Sequence, residues 1–221
     1  MSPLRILSGG AAHGLVEMVR PTFERETGLS IDGTFGAVGA MKAKLLAGEP
    51  ADVMILSRLL IDELARDGKV VKDSVTDVAK VTTAIAVREG DPRPAVGDKE
   101  ALRAVLLAAD EIHFPDPAQS TAGIHFGKVL KELGVWSAAE SRLRPKPNGA
   151  EAMRALASST AGRAIGCTQE TEIRAIPGIV VVAPLPPGCE LVTTYTAAIT
   201  GNARNVPAAR QLIALMHQQG Q

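Results

Sequence analysis

The apolar residues of this chain fall into short runs typical of strands and longer stretches with helical spacing. Residues 5–7 form the first predicted strand, and from Leu15 to Phe23 the apolar positions recur at the spacing of a helix. Residues 8–12 between them carry almost no side chain, so a ligand can approach their backbone closely. A helix that starts after such a turn presents unpaired N–H groups and the positive end of its dipole, which favours an anion.

The same alternation continues along the following residues. Residues 29–32 are predicted to form a second strand, residues 33–39 a second glycine-rich turn, and residues 40–47 a helix. Residues 51–56 have the composition of a buried strand, after which Ser57 is predicted to cap the next helix. This order predicts a parallel sheet with crossover helices. Ligands of such sheets bind beyond the carboxyl ends of the strands, where both glycine-rich turns lie.

Two longer stretches with strand composition, residues 78–87 and 191–199, bracket a second run of alternating strands and helices. They exceed the usual length of a strand, which predicts that they cross between two lobes. We therefore expect an α/β fold in which residues 1–82 plus 195–221 form lobe 1 and residues 83–194 form lobe 2. Each lobe has a central, mostly parallel sheet flanked by helices, with the ligand cleft between the lobes. Small-residue turns recur at predicted strand ends of lobe 2, at residues 120–123, 148–149 and 166–169.

Charge and aromatic content exclude several classes of partner. The chain has 24 basic and 24 acidic side chains and no long basic run, so a nucleic-acid partner is not predicted. Aromatic residues make up 3% of the chain, which disfavours sugars and bases that need aromatic platforms. Abundant small residues suit a site built from backbone groups and hydroxyls instead.

The apolar runs stop far short of the ~20 residues of a membrane span, so no membrane insertion is predicted. The first residues show no charged and apolar segments typical of a signal peptide and lead directly into the first strand. Two locations stay open on these grounds. The protein is cytoplasmic if Met1 is its native start and periplasmic if the chain is a mature form.

No cofactor is predicted. The four histidines show no metal-ligand spacing, and neither a phosphate-binding glycine–lysine loop nor a nucleophile-elbow motif is present. Cys167 and Cys189 match no metal motif and are too few for a disulfide framework. We interpret them as small buried residues, with a single disulfide bridge as the alternative.

Four segments together resemble one family: residues 5–19, AGEPADV at residues 47–53, PDPAQSTAG at residues 115–123, and KELGVW at residues 131–136. With them the chain resembles the type II periplasmic solute-binding proteins, in particular the molybdate-binding protein of ABC importers, over nearly its whole length. The resemblance implies the two-lobed fold, a small anionic ligand, and an ABC transporter membrane component as a partner.

The ligand positions of that family carry over only in part. In molybdate binders, hydroxyls of the first and second glycine-rich turns hold the oxyanion, and here those positions are Ala11 and Val38. The resemblance implies backbone donors at these two residues, at Ala122 and around Gly149. Each hydrogen bond lost to a buried oxyanion costs about 1–3 kcal/mol, so the two missing hydroxyls disfavour molybdate and tungstate.

His13 lies two residues beyond Ala11, near a helix start, and an imidazole can donate to a carboxylate and titrates near neutrality. Further polar candidates are Thr34, Ser120, Thr121, Gln169 and Tyr195. Together with His13, this set favours an organic di- or tricarboxylate as the ligand. The predicted ligand-binding residues are Gly10, Ala11, His13, Thr34, Val38, Gly39, Ser120, Thr121, Ala122, Gly149 and Gln169.

Two functions remain open. The first is binding of a small anion, as in the solute-binding proteins of ABC transporters. The second is isomerisation of a small unsaturated tricarboxylate, as in aconitate-isomerase-like relatives on the same scaffold. A proton shift between carbons needs carboxylate clamps, a base near neutrality and exclusion of water, and His13 is the candidate base, followed by Glu170 and Glu172. A ligand-sensing domain of a regulator is disfavoured, because the chain lacks a DNA-binding helix pair.

Overall fold

A computed structural model describes residues 2–220, which divide into two compact units. Unit 1 comprises the residues up to Lys80 together with those from Thr193 onward, and unit 2 comprises Val81–Val192. Both boundaries fall within or at the start of long strands, Thr76–Arg88 and Val192–Ile199. None of the helices formed by residues 2–220 combines the length and apolar character needed to cross a bilayer.

Strands and helices alternate along most of the chain. The strands are β1 (Leu4–Gly9), β2 (Ile31–Gly36), β3 (Val53–Ser57), β4 (Thr76–Arg88), β5 (Glu111–Pro115), β6 (Leu143–Lys146), β7 (Ala164–Gln169), β8 (Ile179–Pro184) and β9 (Val192–Ile199). The helices are α1 (His13–Thr27), α2 (Val38–Leu46), α3 (Arg58–Arg66), α4 (Lys99–Ala108), α5 (Thr121–Glu132), α6 (Val135–Ala138), α7 (Gly149–Ala157), α8 (Glu170–Arg174) and α9 (Val206–Gln219).

The sheet of unit 1 has the strand order β2-β1-β3-β9, with the first part of β4 beside β9. β1 pairs in parallel with β2 and β3, whereas β9 is antiparallel to β3. In this register Gly9 of β1 lies beside Gly36 of β2, and Ser57 of β3 lies beside Tyr195 of β9. Residues 53–56 of β3 are completely buried, which explains their uninterrupted apolar sequence.

The sheet of unit 2 contains the parallel strands β6, β5 and β7, followed by β4 and β8, each antiparallel to its neighbour. One core cluster holds Phe114 and Phe126, and another holds Met153 and Leu156. Cys167 and Cys189 are free and buried in the first cluster, which confirms their prediction as small buried residues.

The predicted second glycine-rich turn is wrong in its first half. Residues 33–36 belong to β2 and pair with residues 6–9 of β1. Gly33 fits this strand because a Cβ there would lie 2.6 Å from Cε2 of Phe35, so only glycine leaves room for that ring. Thr34 therefore lies within a strand, and α2 already begins at Val38.

Two predicted strands are longer in the structure. β1 continues to Gly9, and the turn that follows it is a short 3₁₀ turn, Gly10–Ala12. β7 includes residues 166–169, which the sequence indicates as a small-residue turn, since these residues pair with β4 as far as Thr83. In both cases long-range pairing extends the strand into residues that look like a turn in the sequence.

Candidate functional site

Three helices of unit 1 follow the parallel strands β1, β2 and β3, α1 after the short 3₁₀ turn Gly10–Ala12. Their N-cap residues are Ala12, Ala37 and Ser57, and none of these side chains makes a capping hydrogen bond. The predicted capping role of Ser57 is therefore wrong. Because no N-cap side chain supplies an oxygen to these helix ends, their N–H groups and dipoles can act on a ligand.

Gly9, at the carboxyl end of β1, allows the start of α2 and the Tyr195 ring to pack closely against this strand. A Cβ at Gly9 would lie 2.8 Å from Cε1 of Tyr195 and 2.8 Å from Cγ1 of Val38. The end of β1 is thus packed against the start of α2 and the buried Tyr195 ring, and only glycine allows that approach. Tyr195 consequently belongs to the same edge as Gly10, Val38 and its neighbour Gly39.

His13 is the first residue of α1, and about half of its side chain, 52%, is exposed. Its ring centroid lies 4.1 Å from that of Phe35, and its Nε2 lies 3.6 Å from Oε1 of Glu17. A hydrogen bond from Arg20 lowers the pKa of Glu17 and keeps it ionised. The imidazole is therefore accessible, in tilted contact with an aromatic ring and close to a carboxylate.

Phe35 was missed as a site residue. It lies in the part of β2 that the sequence indicates as a turn, and its contact with His13 follows from the pairing of β2 with β1. Thr34, by contrast, does not join this group. It lines a separate depression of about 170 Å³ together with Arg5, Asp32 and Glu49.

In unit 2, helices α5, α7 and α8 begin after the parallel strands β5, β6 and β7. Ser120 caps α5, its Oγ accepting from the N–H of Gly123 at 3.4 Å. Asn148 caps α7, its Oδ1 accepting from the N–H of Glu151 at 2.9 Å. The hydroxyl of Ser120 is thus engaged within the helix, and Thr121 and the buried Ala122 form the first turn beside it.

Gly149 and Gln169 lie next to a buried carboxyl group in unit 2. A Cβ at Gly149 would lie 2.0 Å from Oε2 of Glu172 and 2.3 Å from Oγ1 of Thr168. Glu172 accepts a hydrogen bond from Oγ1 of Thr168 at 2.7 Å and another from the backbone of Gln169. Burial raises the pKa of Glu172 to about 7, against the lowering effect of these two hydrogen bonds.

The sequence analysis names Glu172 only as a further candidate base, and its contact with Gly149 was missed. The two residues lie on different helices, so no local pattern reports that contact. Gln169 is buried, lies at the N-cap of α8 and accepts a hydrogen bond from Thr83 at 3.5 Å.

The structure groups the predicted residues by unit. Gly10, Ala11, His13, Val38 and Gly39 lie at the carboxyl edge of the unit 1 strands. The members of the set that lie at the corresponding edge of unit 2 are Ser120, Thr121, Ala122, Gly149 and Gln169. Within residues 2–220, no group of three or more histidine, cysteine, aspartate or glutamate side chains is placed to hold a metal ion.

The model of the family described as bacterial extracellular solute-binding protein matches residues 4–221. Aconitate isomerase from Pseudomonas sp. is 30% identical over 222 residues, covering 96% of this chain and 81% of that protein. Both matches extend over nearly the whole chain.

Solved structures of three anion-transport proteins share the fold. The periplasmic molybdate-binding protein of Azotobacter vinelandii superimposes with a TM-score of 0.76 at 19% identity, covering 96% of this chain and 92% of that one. The sulfate-binding protein SubI of Mycobacterium tuberculosis gives 0.76 at 17% identity, covering 98% and 82%. The tungstate ABC transporter structure from Geobacter sulfurreducens gives 0.67 at 20% identity, covering 96% and 93%. The predicted fold class, the type II periplasmic-binding-protein fold, is confirmed.

Proposed function

Because the chain belongs to the family of bacterial extracellular solute-binding proteins, we propose that it binds a small anion, either a carboxylate or an oxyanion. An ABC transporter membrane component as partner and a periplasmic location are parts of the same proposal. They are supported by the family and by the periplasmic molybdate-binding protein of Azotobacter vinelandii. The cleft between the lobes stays a prediction.

One observation carries the proposal: α1, α2 and α3 begin side by side at the edge of one parallel sheet without side-chain caps. Each helix end carries about half a positive charge, and the three act in the same region. This arrangement stabilises an anion, because an anion can accept the hydrogen bonds of N–H groups that would otherwise bond to capping side chains.

The side chains at this edge favour a carboxylate over a tetrahedral oxyanion. Ala11 and Val38 provide no hydroxyl, and both are buried. His13 is accessible and can donate a hydrogen bond to a carboxylate when protonated. We therefore expect di- and tricarboxylates to bind more tightly than molybdate or tungstate.

A thermal-shift screen tests the ligand class. Molybdate, tungstate, sulfate and a panel of di- and tricarboxylates are each added to the protein, because a ligand that binds only the folded state raises the melting temperature. The expected result is a larger shift with a carboxylate. Stabilisation by molybdate alone would contradict the carboxylate assignment, and no shift with any anion would contradict the proposed function.

A pair of Ser57 variants tests the helix ends themselves. Ser57→Asp places a permanent negative charge at the N-cap of α3, which should stabilise the helix by about 0.5–1 kcal/mol but compete with the bound anion. Ser57→Asn adds a capping group of the same size without the charge. We expect isothermal titration calorimetry to show at least about tenfold weaker anion binding in the aspartate variant than in the asparagine variant.

The identity with aconitate isomerase supports a second candidate function, isomerisation of a small unsaturated tricarboxylate. In this case an anion clamp holds the substrate while a base moves a proton between two carbons. His13 is the proposed base, because its exposed imidazole lies at the first turn of α1, where it contacts the Phe35 ring. The carboxylate of Glu17 would stabilise the imidazolium that forms when His13 takes the proton.

An absorbance assay of cis–trans conversion of aconitate tests this candidate. Removal of a general base lowers the rate by about 10²–10⁴-fold, so His13→Ala should lose activity in that range. His217→Ala is the matched control. His217 lies near the end of α9, its ring is hydrogen-bonded to the carbonyl oxygen of Asp77, and this variant should keep full activity. Full activity of the His13→Ala variant would remove His13 from the mechanism.

A further inference from the structure

A cavity of about 360 Å³ lies in unit 1 at the amino end of β3, opposite to the end at which α3 begins. Its walls come from the segment between α2 and β3, from Lys69 after α3, and from residues 200–204 after β9. This volume falls within the range of about 300–1,000 Å³ that is usual for small-molecule sites. None of the predicted ligand-binding residues lines the cavity, so it is separate from the anion-binding edge of this unit.

Part of the lining is apolar. Leu45 and Leu46, at the end of α2, and Pro50, in the segment that follows, contribute to it. Leu46 is 52% exposed, although its side chain is large and apolar. A hydrocarbon group that covers this side chain removes apolar surface from water, which favours binding in proportion to the area covered.

The same lining carries two cations, Lys69 and Arg204. Neither side chain makes an ion pair or a hydrogen bond within the part of the chain that the structure describes. The carboxylate in the lining, Glu49, is neutralised by Lys44, whose Nζ lies 2.8 Å from its Oε2. The cavity therefore favours a ligand that brings its own negative charge to Lys69 and Arg204.

Hydrogen bonds fix the segments that carry these two cations. Asp52 is 5% exposed and accepts a hydrogen bond from the backbone N–H of Arg204 at 2.7 Å. The N–H of Gly201 donates to the carbonyl oxygen of Lys69 at 2.9 Å. Because the backbone of the wall is held in this way, a ligand does not have to order it, which lowers the cost of binding.

We propose that this cavity binds a small amphiphilic anion, namely a straight-chain aliphatic carboxylate. Its hydrocarbon chain packs against Leu45, Leu46 and Pro50, and its carboxylate pairs with Lys69 and Arg204. The inference goes beyond the proposed function, because the cavity and the anion-binding edge lie at opposite ends of the same strands and neither depends on the other.

The two parts of the lining disfavour other classes of small ligand. A neutral hydrocarbon would cover Lys69 and Arg204 and leave their charges without a partner, which is costly. An inorganic anion such as sulfate can pair with the cations but leaves Leu46 exposed to water. Among residues 2–220, no aromatic side chain lines the cavity, so a sugar or a base finds no ring to stack on.

NMR titration of the amide resonances tests the site, because it detects weak binding and also reports where the ligand binds. Acetate, butanoate, hexanoate and octanoate are added in turn, with hexanol as the neutral control and sulfate as the anion without a hydrocarbon chain. The amides of Leu46, Gly48 and Gly201 should shift, whereas those of Gly10 and Gly39 report binding at the other edge. From butanoate to octanoate, affinity should rise by up to about fourfold for each added methylene group.

Replacing both cations, with Lys69→Gln and Arg204→Gln in one chain, tests the role of charge. An exposed ion pair contributes little by itself, so the loss of both should weaken octanoate binding by about fivefold. Lys72→Gln is the matched control, since Lys72 is an exposed lysine of the same unit that does not line the cavity. This variant should bind octanoate as the parent does.

Leu46→Ser tests the apolar part, and it should weaken the binding of octanoate while leaving that of acetate nearly unchanged. Leu59→Ser is its control, because Leu59 is 68% exposed and lies outside the cavity. Equal affinity for hexanol and hexanoate, no gain with chain length, or unchanged octanoate binding in the double glutamine variant would overturn the site. Shifts confined to Gly10 and Gly39 would also overturn it, while supporting carboxylate binding at the other edge.

Discussion

The two units use the same strand–helix plan but complete it differently. In each, three parallel strands are followed by helices, α1, α2 and α3 in unit 1 and α5, α7 and α8 in unit 2. The N-cap side chains of α1, α2 and α3 make no capping hydrogen bond, whereas Ser120, Asn148 and Glu172 supply oxygens at the ends of the three unit 2 helices. The comparison shows that fold alone does not make a helix end available to a ligand; the residue at the N-cap does.

The glycines at the two edges differ in the same way. Gly9 of unit 1 is close to side chains, those of Tyr195 and Val38, which can move. Gly123 of unit 2 is close to the carbonyl oxygens of Asp116 and Pro115, which belong to the backbone and cannot move without shifting the chain. We therefore expect unit 2 to tolerate changes at its edge less well than unit 1.

The largest effect is expected for Gly123→Ala. Its Cβ would lie 2.2 Å from the carbonyl oxygen of Asp116 and 2.4 Å from that of Pro115. Because backbone must shift to relieve this overlap, the free energy of unfolding should fall by about 3 kcal/mol or more in urea denaturation.

Gly127→Ala, one turn later in α5, is the matched control. The nearest atoms to its Cβ lie at 3.4 and 3.5 Å, which is ordinary contact. Alanine is the better helix former, so the change should be neutral or stabilise by up to about 1 kcal/mol. Equal stability of the two variants would show that the loop before α5 is not rigid.

The next effect is the pH dependence of stability caused by Glu172. Its pKa is about 7 in the folded chain, against an ordinary value of 4.5. The contribution of this group is fully present below its unfolded pKa and is lost as pH rises through about 7, an effect on the order of 3 kcal/mol. Glu172→Gln should remove that dependence, which thermal or urea unfolding at a series of pH values would measure.

The difference between parent and variant profiles is the quantity to compare. Burial lowers the pKa of His113, so this histidine has the opposite effect on stability. The free energy of unfolding falls as pH decreases below the ordinary pKa of histidine. Both proteins contain His113, and its effect cancels in the difference. Parallel profiles for the parent and Glu172→Gln would contradict the assignment.

At the edge of unit 1, Gly9→Ala should have a moderate effect. The added methyl group meets two side chains at 2.8 Å, and their displacement should cost about 1–3 kcal/mol of unfolding free energy. Gly14→Ala in α1, where nothing lies within 4 Å of the added Cβ, should be neutral or slightly stabilising. If Gly9→Ala were as harmful as Gly123→Ala, the contrast between movable and fixed neighbours would not hold.

The smallest expected effect is the difference in unfolding free energy between removing a capping side chain and removing one that does not cap. Asn148→Ala removes the cap of α7 and should cost about 1 kcal/mol in urea unfolding. Ser57→Ala removes a side chain that makes no capping bond to α3 and should cost only a few tenths of that. A cost near that of Asn148→Ala would mean that Ser57 does cap α3 in solution.

Much of this protein follows from its sequence. The periodicity of apolar residues predicts the order of strands and helices, and the recurring small-residue turns predict where helices begin. These features depend on neighbours a few residues apart, which is why sequence patterns report them. The cap at Asn148 and the glycine that ends α1, Gly28 with φ of 68°, are of this kind.

Only the tertiary structure decided the features that depend on distant partners. Residues 33–36, which the sequence indicates as a turn, form a strand because they pair with β1, and this pairing places Phe35 against His13. Packing of α7 against α8 buried Glu172 beside Gly149, which converts an ordinary capping carboxylate into a group that titrates near neutrality. The energy of these contacts depends on burial and on which chain segments meet, and neither quantity can be read from residues close together in sequence.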